Sequence, residues 1–237
     1  MNVAMIIAGG TGTRMNNHTP KQFLIIDNKP IIVYTLEAFN RHPDIDAIEV
    51  VVLKGYEDYL FELKEQYNLD KLKWVVAGGE NGQGSARNGV YNLKEYLGPD
   101  DILIVHDAIR PIVPKVIIDD LIKVAKLHGN ACASLEVQET LIQTDNQIYG
   151  KHSIDRKTMR RVQTPQAYRY EEILLAHQEA LEQGITNSVY ANTMMIELGH
   201  TIYFSLGFNN NVKITTPEDI ALFKALKDFP EEDLVSA

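Results

Sequence analysis

Short apolar runs alternate with amphipathic stretches along most of the sequence, and this alternation constrains the fold more than any other feature. The apolar runs are rich in Val and Ile, which is typical of strands buried on both faces of a sheet. Strands are predicted at Val3–Ile7, Ala47–Leu53, Lys73–Ala77, Ile102–His106, Ala131–Val137 and Thr201–Leu206. Helices are predicted at Pro30–Phe39, Tyr56–Tyr67, Ser85–Tyr96, Pro114–His128 and from the cap Thr216 to about Asp228. We therefore predict an α/β fold in which a mostly parallel, twisted sheet carries helices on both faces.

The composition is that of one globular chain, and we predict a single domain over residues 1–237. The net charge of −9 argues against non-specific binding to nucleic acid or to an anionic membrane surface, so a polyanion must be bound by a local cluster of Arg and Lys. Cys132 is the only cysteine, which excludes an internal disulfide and a cysteine-rich metal site. The sequence shows neither a secretory leader nor an apolar run of about 20 residues that could span a bilayer, so a cytoplasmic location is expected.

The stretch from about residue 138 to residue 161 breaks the alternation. It is polar and rich in turn-forming residues, for example at Thr144–Gln147, and it lacks helical periodicity. We predict that it forms a protruding hairpin-like β-arm. Just after this stretch, Thr164-Pro165-Gln166 has the composition of a turn.

The first predicted strand leads directly into a glycine-rich stretch, Ala8–Met15, which is followed by Pro20-Lys21-Gln22. Glycines at such a place allow backbone N–H groups to approach phosphate oxygens without a Cβ in the way. Arg14 and Lys21 supply the positive charge that a polyphosphate requires. Because ligands of α/β sheets bind outside the carboxyl ends of the strands, this stretch predicts a site for a nucleoside triphosphate.

Other glycine motifs fit this stretch less well. The phosphate-binding loop GxxxxGK[ST] is absent, because Gly12 is followed by Thr13 and Arg14. A dinucleotide fingerprint needs a small residue where Met15 stands, so a hydride-transfer enzyme is supported by only two glycines and a strand. A plain glycine turn would not account for both cations.

A second cluster, Val105–Pro111, lies at the end of another predicted strand. Its Asp107 could contact a metal ion and its Arg110 a phosphate, which suits Mg²⁺-nucleotide chemistry, since Mg²⁺ takes few protein carboxylates and shares the phosphates. Capping of a helix or turn is the alternative role of Asp107. We interpret His106 as a strand-end histidine held by hydrogen bonds and not as a metal ligand, because no second ligand stands at a suitable spacing.

Two further clusters are weaker on their own. The glycine-rich loop Gly78–Ser85 follows a strand and would allow a base or a sugar to approach closely, but it could equally be a flexible loop with Ser85 as helix cap. Lys213 lies between an asparagine run and a helix cap. It could reach a substrate phosphate or be a solvated lysine, and the residues alone leave both open.

Taken together, the motifs resemble those of the methylerythritol-phosphate and ribitol-phosphate cytidylyltransferases. The matching stretches are Ala8–Met15, Pro20–Phe23, Val105–Pro111, Thr164–Gln166 and Val212–Asp219, in this order along residues 3–226. The resemblance implies a Rossmann-like domain and a β-arm that reaches across a homodimer. It also implies the use of CTP and Mg²⁺ and the transfer of CMP to a small polyol phosphate, with release of pyrophosphate.

The resemblance implies roles for particular residues. The catalytic residues would be Arg14, Lys21 and Lys213. The nucleotide would be bound by Ala8, Gly9, Gly10, Thr11, Gly12, Gly79, Ser85 and Asp107, of which Asp107 is also the Mg²⁺ ligand. The acceptor would be bound by Arg110, Thr140, Arg156 and Asn210, with Arg156 entering the site of the neighbouring subunit.

Departures from the family pattern concern the acceptor. Gly82 stands where the family usually has Arg, and Asn187–Tyr190 replaces a usual Thr-Asp pair. The stretches Gly10–Gly12, Phe23-Leu24 and Gln163–Gln166 favour the ribitol branch, whose products are used for teichoic acid and capsule synthesis.

Several alternatives remain open from the sequence. Methylerythritol 4-phosphate and glycerol phosphate are the other candidate acceptors. A sugar-1-phosphate nucleotidyltransferase that uses UTP or dTTP, and a nucleotide-sensing module without turnover, are the alternative functions.

Overall fold

The computed structural model describes residues 1–10 and 19–235. The strands are β1 Asn2–Ala8, β2 Ile25–Ile26, β3 Lys29–Pro30, β4 Ala47–Val52, β5 Leu72–Ala77, β6 Ile102–Asp107, β7 Asn130–Glu136, β8 Leu141–Gln143, β9 His152–Ile154, β10 Arg160–Arg169 and β11 Phe204–Leu206. The helices are α1 Ile31–Arg41, α2 Glu57–Tyr67, α3 Gly82–Asn92, α4 Lys115–His128, α5 Tyr170–Glu182, α6 Ala191–Glu197, α7 Pro217–Leu226 and α8 Glu231–Val235. None of these helices is long and apolar enough to cross a membrane.

Seven of the described strands form one central sheet in the order β11-β7-β10-β6-β1-β4-β5. The pairs β1–β4, β1–β6, β4–β5 and β7–β11 are parallel, and β10 alone runs antiparallel to its neighbours β6 and β7. In this register, Ile7 near the carboxyl end of β1 lies opposite Val51 and Asp107. The parallel pairing thus brings the ends of β1, β4, β5 and β6 to the same edge, where the predicted glycine loops begin.

Helices cover the sheet on both faces, as predicted. Alternate residues of each strand point to opposite faces. Ile6 and Val50 are buried against α1, α2 and α4, whereas Met5 and Val51 are buried on the other face against α3, α5 and α6. The predicted α/β fold is confirmed.

A third apolar cluster fixes the segment that carries Lys213. Phe223 of α7 and Leu234 of α8 pack there with Phe208 and Ile214. The backbone N–H of Ile214 donates to the carbonyl oxygen of Ile109 at 2.9 Å. This contact holds Lys213 beside the loop that follows β6.

The structure corrects the prediction of a turn at Thr164–Gln166. These residues are buried within β10, between β6 and β7, and a cis peptide bond joins Thr164 to Pro165. The pairing of β10 with β7 is irregular between Val162 and Gln166, which is the kind of place where a strand tolerates proline. The buried side chains of this segment are polar, so the sequence lacks the apolar alternation that marks a strand.

The predicted hairpin-like arm is confirmed. β8 and β9 pair antiparallel in a small sheet of their own, and nearly all residues from Gln138 to Met159 are exposed. The central strand β10 begins at Arg160, slightly before the predicted end of the arm at residue 161.

Candidate active site

A cleft of about 450 Å³ opens at the edge of the sheet where the parallel strands end. It is lined by eight of the residues that the sequence singled out, namely Ala8, Gly9, Gly10, Lys21, Gly79, Ser85, Asp107 and Lys213. Three others, Thr11, Gly12 and Arg14, lie outside the described residues. Segments far apart in the sequence therefore meet in one site, as the topology of the sheet requires.

Gln22 holds the start of the loop that follows β1 through two hydrogen bonds. Its side chain is buried, and Nε2 donates to the carbonyl oxygens of Ala8 at 2.7 Å and Gly10 at 3.1 Å. These two hydrogen bonds fix the backbone from Ala8 to Gly10 beside the cleft. Sequence reasoning passed over Gln22, whose only signal was its place next to Lys21.

The loop after β5 is equally well ordered. Ser85 is buried, and its Oγ accepts a hydrogen bond from the backbone N–H of Gly79 at 3.0 Å. Asn81 caps helix α3, because its Oδ1 accepts from the N–H of Gly84 at 2.8 Å. Ser85 thus lies inside the first turns of α3, and the alternative in which Ser85 caps the helix is wrong.

Close approach of the backbone explains why Gly79 is a glycine. A Cβ at this position would come within 2.6 Å of the carbonyl carbon of Gly84. At Gly82, by contrast, a Cβ would meet nothing within 4 Å among the described residues. The loop therefore needs a glycine at residue 79 and has room for a side chain at residue 82.

Asp107 lies at the end of β6 between two cations. One carboxylate oxygen, Oδ2, is 3.0 Å from Lys213 Nζ and 3.1 Å from Arg110 Nε. Burial by itself would raise the pKa of Asp107, but the neighbouring Lys213 and Arg110 outweigh it and hold the pKa below its ordinary value. Asp107 is therefore ionised at neutral pH.

Lys213 is a residue of the cleft and not a solvated surface lysine. Besides Asp107 it contacts Tyr190, whose Oη accepts from Lys213 Nζ at 2.8 Å. Burial by itself would lower the pKa of Lys213, but Asp107 outweighs it and the pKa is raised. The lysine stays charged and offers a cation to an anionic ligand.

Tyr190 belongs to the segment Asn187–Tyr190, which the sequence linked to the acceptor without giving any of its residues a role. Gln83 of α3 anchors this segment: its Nε2 donates to the carbonyl oxygen of Ile185 at 2.6 Å, and its Oε1 accepts from the N–H of Ser188 at 2.8 Å. Since these residues are about a hundred positions apart, only the tertiary fold reveals the contact. Gln83 thus joins the glycine loop after β5 to the loop that ends at Tyr190.

His106 behaves as the sequence indicated. It is fully buried, and its Nε2 bonds to the carbonyl oxygen of Arg110 at 2.9 Å. Burial lowers the pKa of His106 to about 4, so the ring is neutral and donates this bond. The residue shapes the turn that carries Asp107 and Arg110.

The four residues expected to bind the acceptor are absent from the described lining of the cleft. Arg110 is turned towards Asp107, and its Nη1 donates to the carbonyl oxygen of Asn211 at 2.9 Å. Asn210 donates through Nδ2 to the carbonyl oxygen of Leu234 at 3.0 Å. Thr140 and Arg156 are exposed residues of the arm, and Arg156 Nη1 contacts the carbonyl oxygen of Gln138.

Two glycine loops, an ionised carboxylate and a charged lysine at the carboxyl edge of a parallel sheet define a nucleotide-binding α/β enzyme. A family model described as IspD, 2-C-methyl-D-erythritol 4-phosphate cytidylyltransferase, matches residues 2–227. The chain belongs to this family of cytidylyltransferases, and the predicted resemblance is confirmed.

Individual relatives extend the comparison. The chain is 44% identical to a ribitol-5-phosphate cytidylyltransferase of Lacticaseibacillus paracasei, over 95% of this chain and 97% of the relative. It is 36% identical to a 2-C-methyl-D-erythritol 4-phosphate cytidylyltransferase of Clostridium novyi, over 95% and 96% of the two chains. The crystal structure of the Francisella tularensis 2-C-methyl-D-erythritol 4-phosphate cytidylyltransferase superimposes with a TM-score of 0.78 at 25% identity, covering 95% of this chain and 99% of that one.

Proposed function

We propose that this protein transfers CMP from CTP to ribitol 5-phosphate, giving CDP-ribitol and pyrophosphate. The observation that carries the proposal is the ion pair of Lys213 with Asp107, 3.0 Å apart in a cleft that the two glycine loops also line. The ribitol acceptor is supported by the similarity to the L. paracasei relative, at 44% identity, against 36% for the C. novyi relative named for methylerythritol phosphate.

The residues of the cleft suit a reaction driven by positioning and charge. In-line attack of the acceptor phosphate on the α-phosphorus of CTP builds negative charge on the surrounding oxygens. Lys213 and Lys21, with Arg14, would stabilise that charge, and no protein nucleophile is required. Burial raises the pKa of Cys132 to about 12, so this thiol stays protonated and takes no part in the chemistry.

Mg²⁺ fits the carboxylate at the end of β6. Both cationic contacts of Asp107 fall on Oδ2, which leaves Oδ1 without a partner among the described residues. Mg²⁺ is commonly held by one or two carboxylates together with the phosphates of its nucleotide. We propose that Asp107 Oδ1 holds the ion, which would neutralise the triphosphate charge when bound.

The arm suits the assembly of a homodimer. A two-stranded hairpin is only marginally stable by itself in water, and this one exposes Ile142, Ile148 and Tyr149. We propose that the arm packs on a second copy of the chain and brings Arg156 and Thr140 to the acceptor end of its cleft. A cytoplasmic location and a product used for teichoic acid or capsule synthesis belong to the same proposal.

Product analysis with a panel of acceptors tests this function. The purified protein is incubated with CTP and Mg²⁺ and with ribitol 5-phosphate, methylerythritol 4-phosphate or glycerol 3-phosphate, and pyrophosphate and the CDP-polyol are quantified. We expect CDP-ribitol as the main product and little turnover when UTP replaces CTP. Turnover of methylerythritol 4-phosphate alone would assign the other branch, and CTP binding without any product would indicate a nucleotide sensor.

A further inference from the structure

We propose that Tyr190 is a specificity-determining residue for the acceptor and that its hydroxyl donates a hydrogen bond to a hydroxyl group on the polyol chain. The inference rests on the function proposed above, since it concerns how the same cleft selects its acceptor. It assigns a role to a segment, Asn187–Tyr190, in which the chain departs from the usual pattern of its family.

Tyr190 lines the cleft directly beside Lys213. Its Oη is 2.8 Å from Lys213 Nζ, and the same Nζ is 5.1 Å from the centre of the Tyr190 ring. Lys213 in turn is 3.0 Å from Asp107. The phenol is therefore one hydrogen bond away from the lysine proposed to support the reacting phosphates.

The chemistry of the phenol suits a neutral hydroxyl better than a phosphate. An ammonium group only donates hydrogen bonds, and its charge suits phosphate oxygens. A phenol both accepts and donates: Tyr190 Oη accepts from Lys213, and among the described residues its own O–H remains to donate. A hydroxyl on the part of the polyol chain that glycerol 3-phosphate lacks is the group that matches such a donor.

Tyr190 is also held rigidly, as a residue that selects a substrate must be. Its backbone N–H donates to Thr193 Oγ1 at 3.0 Å, and this hydroxyl donates to the Tyr190 carbonyl oxygen at 2.7 Å. The preceding loop is tied to α3 by Gln83 and by Asn81, whose Nδ2 donates to the carbonyl oxygen of Thr186 at 3.0 Å. The ring therefore does not move freely on the surface.

A purely structural role for Tyr190 makes a different prediction. If the phenol served only to hold Lys213, its loss would disturb the lysine and change turnover with every acceptor alike. If it binds a polyol hydroxyl, its loss would act on the acceptor and leave CTP binding in place. The two roles are separated by measuring KM for each substrate together with kcat.

The test compares Tyr190→Phe with the wild-type protein. Phenylalanine keeps the ring beside Lys213 and removes only the hydroxyl. We expect the KM for ribitol 5-phosphate to rise about tenfold, the size of one lost hydrogen bond, and the KM for CTP to change by less than about twofold. The preference for ribitol 5-phosphate over glycerol 3-phosphate, which has fewer hydroxyls, should shrink by a similar factor.

Tyr34→Phe is the matched control, because Tyr34 Oη donates to the carbonyl oxygen of Ile26 at 2.8 Å and the residue does not belong to the described lining of the cleft. It should leave both KM values and the acceptor preference as in the wild type. Equal changes in Tyr190→Phe for all acceptors, or an unchanged KM for ribitol 5-phosphate, would overturn the inference while the proposed function stands. A wild-type protein that uses no polyol phosphate would overturn the proposed function, and the inference with it.

Discussion

Asp107 shows how one residue adjusts the charge of the site. The chain has a net charge of −9, so a triphosphate can bind only where cations outnumber carboxylates locally. Asp107 is placed between Lys213 and Arg110 and offsets part of their charge. It thereby holds both side chains in place, and in the proposed function its Oδ1 would hold Mg²⁺.

Replacing Asp107 by Asn should abolish most of the activity. The amide cannot hold Mg²⁺ as a carboxylate does, and Lys213 and Arg110 lose their shared counter-charge. We expect turnover at saturating CTP and acceptor to fall by about 10²–10³-fold, which pyrophosphate release measures. Asp119→Asn is the control, because the Asp119 carboxylate pairs with Lys115 and does not belong to the described lining of the cleft. This variant should retain its turnover. Turnover of Asp107→Asn close to that of the wild type would exclude Asp107 from the mechanism.

At the residue scale, the sequence predicts the charged side chains of the site better than the neutral side chains that hold them in place. Asp107 and Lys213 could be found because each stands beside a strand end or a helix cap and carries charge. Gln22, Gln83 and Tyr190 lie in stretches that the sequence singled out, but their individual roles could not be predicted, since these roles arise from contacts made across the fold. No local sequence pattern predicts such a contact for a neutral polar side chain.

At the scale of elements, the start of helix α3 and the loop before it form one closed unit, which we propose binds the nucleotide. The loop is closed by the bond from the Gly79 N–H to Ser85 Oγ and by the Asn81 cap. Its tight closure leaves no space for a side chain at residue 79.

Gly79→Ala should therefore weaken CTP binding. The new Cβ would lie 2.6 Å from backbone of Gly84, so the loop must open to accommodate it. We expect the Kd for CTP, measured by calorimetry, to rise by about tenfold or more. Gly82→Ala in the same loop, where a Cβ meets open space, should change it by less than about twofold. An equal effect of the two substitutions would contradict this account of the loop.

A buried carboxyl group in β4 makes stability depend on pH. Glu49 is fully buried and accepts one hydrogen bond, from Asn92 Nδ2 at 2.8 Å. Burial raises the pKa of Glu49 to about 8, against 4.5 for the unfolded chain. Between these two pH values, the folded protein therefore binds one proton more than the unfolded chain does. The free energy of unfolding therefore falls as pH rises through that window, by about 1.4 kcal/mol for each pH unit.

Glu49→Gln should remove this pH dependence. The neutral amide keeps a partner for Asn92 and never ionises. Burial lowers the pKa values of His106 and His177 to about 4. These histidines therefore destabilise the fold only as pH falls below about 6.5. Between pH 6.5 and 8, the change in stability with pH reports on Glu49. We expect the Tm of the wild type to fall over this range and that of the variant to stay nearly constant. The exposed control Glu65→Gln should keep the wild-type dependence of Tm on pH. The same dependence in Glu49→Gln would contradict the assignment to Glu49.

Most elements of the fold could be predicted from local patterns, and β10 shows why some could not. β1, β4, β5 and β6 are apolar runs with clear ends. β10 begins with charged residues and carries buried Gln163, Thr164 and Gln166, whose hydrogen bonds are made to other segments. Helix α5 was also not predicted, although Ile173, Ala176 and Ala180 are buried at helical spacing.

At the scale of the whole molecule, the proposed homodimer would divide the site between the cleft of one copy of the chain and the arm of the other. The nucleotide end is built from the central sheet of one copy. The acceptor end would receive Arg156 from the arm of the other, because Arg156 is not part of the described lining of its own cleft. Such an arrangement would make the dimer a requirement for activity.

Mixing two inactive variants tests this division. Arg156→Ala and Lys213→Ala should each lack activity as homodimers. After subunit exchange at equal amounts, half of the dimers would be mixed and each would contain one intact site, so about a quarter of the wild-type turnover should return. If Arg156 acts within its own chain, the mixture will remain inactive.

The central claim is that the cleft joins CMP to ribitol 5-phosphate, and a competition between acceptors tests it most directly. Equal concentrations of ribitol 5-phosphate and methylerythritol 4-phosphate are supplied together with CTP and Mg²⁺. The ratio of the two CDP products then equals the ratio of their kcat/KM values. We predict that CDP-ribitol will exceed the methylerythritol product by about 100-fold or more, the discrimination that a few polar contacts to hydroxyls provide. An excess of the methylerythritol product, or the absence of both, would contradict the account.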